Sequence, residues 1–275
     1  MSDRRRVNGP PGITCSPSYD ENSSLSLSGH TKPSPLYLKT GVTPSASGSA
    51  YLEMDQYGMK LTCTVHGPRS LPRSAPFSPH MVLSTFVKYA PFATKSGKGY
   101  LRDANERDLS MHLETALRGA IIAERWPKSG VDVVVTVIEG DLAHQSIPED
   151  GHEDWDSMTV LGGCITVASA AIADAGIDCA DTITGGVAAI VMDSGLSGEP
   201  FIVHGPMRSK NWVILAVCCV AYMTQRNDVT NLWYKGCLSL PDPSMRRSLI
   251  ARAISVCKGM HETIIETLCE AVPLV

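Results

Sequence analysis

Apolar and polar positions change period several times along this 275-residue chain, and each change marks an element. Residues 1 to about 34 show no period; Ser, Pro and Gly dominate, and the stretch reads as a disordered tail. Order is expected from Leu36-Tyr37-Leu38 onward. Gly48–Met54 and Met59–Val65 read as short strands joined across Asp55-Gln56-Tyr57-Gly58, with glycine at the tight position of a hairpin. Gly67-Pro68-Arg69 is expected to end the second strand. Residues 70–79 follow as a Pro/Ser loop carrying Arg73, and Met81–Tyr89 alternates as a third strand. Pro91–Arg102 is a Gly/Lys-rich connection.

From Asn105 to about Trp126 the apolar positions fall at helical spacing: Leu109, Leu113, Ala116/Leu117, Ala120/Ile121. Asp103 or Asn105 can cap this helix, Glu106 and Asp108 suit its positive end, and Pro127 stops it. Val131–Ile138 is apolar at nearly every position, so it is expected to be a strand buried on both faces. An acidic loop leads to a helix crowded with Ala, Gly and Ser, running through Cys164-Ile165-Thr166 and ending at Ala173-Asp174-Ala175-Gly176-Ile177. Its small side chains permit close approach to a sheet or to a partner helix. Ile183–Asp193, Phe201–Val203, Trp212–Met223 and Asn231–Cys237 read as further strands. Asp242 as N-cap and Pro243 at the first position open a final helix with Leu249, Ala253, Cys257, Ile264 and Leu268 on one face. The class is α+β, mixed sheets covered by three helices. The expected divisions are a tail (1–34), a main body (35–195) and a smaller C-terminal part (196–275).

Composition narrows the classes. A 43% hydrophobic content suffices for one large core or two modest ones. The longest apolar runs, Val160–Ala173 and Trp212–Met223, are shorter than the roughly 20 residues that span a bilayer, so no membrane association is expected. Arg4-Arg5-Arg6 is followed by Pro, Gly and Ser rather than by the apolar run of a signal peptide. Nine cysteines sit mostly in apolar runs with no Cys-x-x-Cys pair, as expected for buried free thiols in a reducing, intracellular compartment. Charge is uneven. Residues 1–128 hold 16 Lys and Arg against 10 Asp and Glu; residues 129–207 hold 13 acids and no Lys or Arg; residues 208–275 hold 8 bases and 5 acids. This asymmetry reads either as surface patchiness or as a basic half that faces polyanion or an acidic neighbour.

The candidate chemistry is sparse. His144 to Asp156 contains two His and five carboxylates, but Pro148 and Gly151 prevent the fixed helical spacing a metal would need, so a solvated acidic insertion is expected and no metal. Cys164 has apolar neighbours and no nearby His, and Ser194-Gly195 is not part of a Gly-x-Ser-x-Gly elbow. No cofactor is indicated. The basic residues Arg69, Arg73, Lys95, Lys98, Arg102 and Arg107 suit sequence-independent phosphate contact, or equally a solvated rim or contact with a neighbour's acidic loop. Phe77, Phe92 and Tyr100 are too few near them to indicate base stacking.

Taken in order, Leu38 to Gly67-Pro68-Arg69, Ala90-Pro91-Phe92, Glu106-Arg107-x-Leu109-Ser110, Val137-Ile138-Glu139-Gly140 and Ala168 to Asp174-Ala175-Gly176-Ile177 resemble the RNase PH family across residues 36–270. The resemblance implies the RNase PH-like (ribosomal protein S5 domain 2-like) fold. Active members trim RNA from its 3′ end by phosphorolysis. They use an Arg-bearing phosphate turn at the start of the second helix and paired carboxylates after the following strand. Phosphate binding needs helix-start N–H groups and a guanidinium. Here the segment reads Ser157-Met158-Thr159-Val160-Leu161-Gly162-Gly163, with Leu161 about where the Arg would stand. Between Glu199 and Asp228 there is no Asp or Glu.

No catalytic residue is therefore assigned. The alternative is an active phosphorolytic 3′–5′ exoribonuclease with Asp193 and Glu199 at a displaced site; a third reading is a metabolic α+β enzyme with an unrecognised site. Non-catalytic members of the family are ring subunits of the eukaryotic RNA exosome. The resemblance implies a hetero-hexameric ring with other RNase PH-like subunits, OB-fold-type RNA-binding cap proteins, and RNA in the central channel. It also implies residence in nucleus, nucleolus and cytoplasm. The small-residue helix and the final helix are candidates for packing between subunits, and Arg69 and Arg73 match a family loop that faces the channel.

Overall fold

A computed structural model describes residues 36–54, 58–93, 99, 101–140, 153–193, 200–205, 212–236 and 243–271; the side chains of Glu153, Asp154, Asp193, Trp212 and Pro243 are not described. The expected tail, the turn residues 55–57, Lys95, Lys98, residues 144–152, Ser194 and Glu199 lie outside it.

Alternation builds two sheets. The first holds β1 (Leu36–Thr40), β2 (Gly48–Met54), β3 (Met59–Ser70), β4 (Val82–Tyr89) and β5 (Ser129–Glu139) in the order β1-β2-β3-β5-β4. Only the β4–β5 pairing is parallel, so this sheet is mixed. The second holds β6 (Ile183–Asp193), β7 (Phe201–His204), β8 (Trp212–Met223) and β9 (Asp228–Gly236), antiparallel throughout, in the order β7-β6-β8-β9. The division expected after residue 195 falls between β6 and β7, two hydrogen-bonded strands of this sheet.

Among the described residues three α-helices cover them: α1 (Ala104–Arg118), α2 (Glu153–Asp174) and α3 (Pro243–Ala271). α2 lies between the sheets, and glycine makes that possible. A methyl group on Gly185 of β6 would sit 2.3 Å from the Gly162 carbonyl oxygen of α2. On the other side of α2, a methyl on Gly163 would strike Met59 and Leu61 of β3. α3 covers the far face of the second sheet, where Leu249, Ala253 and Cys257 pack on Ala188, Ile190, Cys218 and Val220.

α1 closes an exposed edge. β4 is the last strand of its sheet, and side chains of α1 take its outward N–H groups: Val87 N–H donates to Ser110 Oγ (3.0 Å) and Tyr89 N–H to Glu106 Oε1 (2.9 Å). Such an edge would otherwise offer itself to another strand. Asp103 is the cap, and its side chain and that of Glu106 form a capping box.

The structure corrects several expectations. α1 ends at Arg118 rather than Trp126. Gly119 packs against Thr230 of β9, and Ile121 then bridges Cys179 in extended form, so Ala120 and Ile121 are buried without being helical. β3 does not stop at Gly67-Pro68-Arg69. An irregularity between His66 and Arg69 carries Pro68, which has no N–H, past the ladder, and pairing resumes at Arg69 opposite Gly130. β5 is buried on one face only; Val131, Val133, Val135 and Val137 face the core while Asp132, Val134, Thr136 and Ile138 are half-buried on an outer face. Residues 153–156 form the first turn of α2 and not a loop. α2 spends its surface inside the chain, since nearly every residue from Ser157 to Ile172 is buried, so it is no candidate for packing between subunits. Trp155–Asp174 is long and apolar enough to cross a membrane by length and composition, yet 89% of its most apolar window is buried in this core.

Candidate nucleic-acid interface

The segment that would hold phosphate in an active relative is interior helix. α2 begins at Glu153, four residues before Ser157, so the N–H groups of Ser157 to Gly163 lie within the helical ladder instead of at an open helix start. Leu161 is fully buried, as are Val160 and Met158. Thr166 Oγ1 donates to Gly162 O (2.9 Å) and accepts from Gly185 N–H (3.1 Å), tying α2 to β6 through the close glycine contact. Ser157 accepts a hydrogen bond from Asn105 Nδ2 (2.8 Å). These hydrogen bonds hold α2 to α1 and to β6. Asp193 closes β6 and its side chain is not described; Glu199 lies outside the described residues.

The thiols are equally inert. Burial pushes Cys164 and Cys257 up to about 12 and Cys63 higher still, so they stay protonated and cannot act as nucleophiles at neutral pH. Among the described residues no group of three or more His, Cys, Asp or Glu is arranged to hold a metal.

The basic residues fall into two sets. Arg69, at the end of β3, pairs with Asp132 on the outer face of the first sheet while its side chain stays 65% exposed. Arg73 is exposed in the turn closed by Ala75 N–H donating to Pro72 O (2.9 Å). Both lie at the end of the sheet where β5 begins, because Arg69 pairs with Gly130. Arg102 instead lies over the Phe86 ring of β4 (5.2 Å to the centroid) and donates to Ser110 Oγ. Lys88 fixes the segment before it, donating to Gly99 O and Leu101 O (3.1 Å each) and pairing with the buried Glu106 carboxylate (3.2 Å). Arg107, beside Glu106, is exposed on α1. Arg69 and Arg102 thus share the outer face, Arg73 projects from its end, and Lys95 and Lys98 are outside the described residues.

One residue of this rim escaped the sequence reading. Lys128 lies more than fifty residues from Arg73, yet its N–H donates to Ser78 O and its carbonyl accepts from Leu71 N–H (3.3 Å each), so it joins the 71–80 loop. Its ammonium lies 5.4 Å from the centroid of Phe77. Periodicity could not have found this pairing, since it depends on β3 and β5 being neighbours.

The family described as 3′ exoribonuclease family, domain 1 (RNase PH), matches residues 34–178, and the chain belongs to it. Over 99% of its length it is 56% identical to the whole of a Chaetomium thermophilum protein named Exosome complex component MTR3. It is 31% identical to the Schizosaccharomyces pombe protein of that name, over 87% of this chain and 86% of the relative. Pyrococcus abyssi Exosome complex component Rrp41 is 30% identical over 74% of this chain and 73% of its own. The crystal structure of rice Rrp46 superposes with a TM-score of 0.64 at 15% identity, covering 87% of this chain and 97% of the rice chain, a likeness of fold.

Proposed function

We propose that the chain is a non-catalytic structural subunit of the RNA exosome ring, supporting RNA 3′-end processing and decay through assembly and through the channel it helps to line. The observation that carries this reading is the full-length, 56% likeness to a protein named as an exosome component. The burial of Leu161 within α2 agrees with it, because a scaffold has no use for an open phosphate turn. Its partners are other RNase PH-like subunits in a hetero-hexameric ring, with OB-fold-type cap proteins on one side. RNA passes through the centre, and Arg69, Arg73, Lys95, Lys98, Arg102 and Arg107 supply phosphate contacts there. The complex works in nucleus, nucleolus and cytoplasm. The half-buried outer face of the first sheet, with Val134, Ile138 and exposed Phe86, supports assembly, since such a surface is better covered than wet.

Co-expression with candidate ring subunits, followed by size measurement, tests the assignment. The expected result is a stable hetero-oligomer; a monodisperse monomer that ignores every RNase PH-like partner would overturn it.

A further inference from the structure

We propose that Phe77, set against Lys128 and followed along the rim by Arg73, is a stacking platform for one base of single-stranded RNA. The inference rests on the reading that this rim meets RNA, and goes beyond it by adding an aromatic contact to the phosphate contacts.

Phe77 is 73% exposed. A single exposed aromatic needs no explanation by itself. What distinguishes this one is how firmly its loop is held. Leu71 N–H and Ser78 O bond the two backbone groups of Lys128, Met81 N–H donates to Ala123 O (2.9 Å), and Ser78 Oγ donates to His80 O (2.7 Å). The Leu71 side chain lies over Gly130, where a methyl would approach to 3.0 Å. Lys128 itself has φ +59°, a left-handed conformation that a non-glycine residue adopts at some cost and that its bonds to both ends of the loop maintain. Loop, lysine and ring therefore form one rigid unit, so little ordering entropy is lost when a base arrives.

The chemistry around the ring matches nucleic acid better than protein. The exposed residues of its own loop are Pro72, Arg73, Ser74, Pro76, Pro79 and His80, cationic and proline-rich with no second large apolar side chain among them. A protein-docking patch needs contiguous apolar area. Stacking of a base on an aromatic ring needs one face and a nearby cation for the phosphate, and it tolerates any sequence. The Lys128 ammonium, lying over one face of the ring, supplies that cation, and the base stacks on the opposite face.

The test is fluorescence anisotropy of the full-length chain with a labelled 12-nucleotide oligo(U) or oligo(A), titrated at several KCl concentrations. Phe77→Ala is expected to weaken both about tenfold with an unchanged salt slope. Phe77→Trp is expected to bind like the parent, with the new indole quenched by RNA. Arg73→Ala and Lys128→Gly are expected to weaken binding and to lower the log–log salt slope by about 0.7 each. If Phe77→Ala binds normally while Arg73→Ala and Lys128→Gly do not, stacking is wrong and phosphate contact stands. If neither RNA binds, or no variant alters binding, the RNA reading of the rim fails along with it. Normal RNA affinity but impaired ring assembly in Phe77→Ala would make the ring a protein contact and overturn the proposal.

Discussion

The N-terminal half of α2 and the loop of residues 71–80 make opposite use of similar positions beside a sheet. α2 presents Met158, Val160, Leu161 and two glycines to the strands on either side, with no charged residue from Ser157 to Gly163. The loop keeps its backbone locked to Lys128 and most of its side chains, Arg73 and Phe77 among them, in water. Within this family a helix start can be a phosphate site only while part of it remains unpacked. Here packing has taken the helix from Ser157 to Ile172, and the cations lie at the rim. On the proposed function, the difference separates a scaffold from an enzyme that trims RNA.

Restoring the guanidinium should damage the protein rather than revive a site. Leu161→Arg buries an unpaired charge in the core and is expected to cost about 4 kcal/mol or more, read as a loss of folded protein in denaturant titration. A stable, phosphate-binding Leu161→Arg would break the contrast. Gly185→Ala ranks next: the added methyl would meet the backbone of α2, and a loss of about 3 kcal/mol is expected from the same titration.

Glu106→Ala is expected to cost about 2 to 3 kcal/mol, since it leaves the Tyr89 N–H and Lys88 without their buried carboxylate; thermal melting reads this. Smaller still is the effect of the thiols. Cys164, Cys218 and Cys257 are raised by burial to about 12, above their unfolded values, so the folded chain holds protons that the unfolded chain releases. Their contribution to stability is complete below about pH 8.5 and declines as pH rises toward 12. Alkylation at pH 8 followed by mass spectrometry should label exposed Cys269 and spare Cys63, Cys164, Cys218, Cys219 and Cys257 until denaturant is added.

Much of the architecture could be read from the sequence because period follows burial. The strands from Gly48 to Met54 and from Ile183 to Asp193 fall where alternation and apolar runs placed them. The end of α1 was misplaced because Ala120 and Ile121 remain buried after the helix stops; a buried position looks the same whichever backbone carries it. The two-sided burial expected of β5 failed for a related reason: Val134 and Ile138 are apolar but face outward. Within the site, the loss of the Arg at Leu161 was legible as a missing residue type. The union of Phe77 with Lys128 was not, because it follows from strand order in the first sheet and from no local pattern.

The absence of a phosphorolytic centre is what separates this RNase PH-family chain from an exoribonuclease. Its most direct test is to incubate the purified full-length chain with 3′-labelled single-stranded RNA, inorganic phosphate and magnesium, and to measure nucleoside diphosphate. None is expected above a protein-free control; phosphate-dependent release that Asp193→Asn or Glu199→Gln abolishes would overturn the non-catalytic reading.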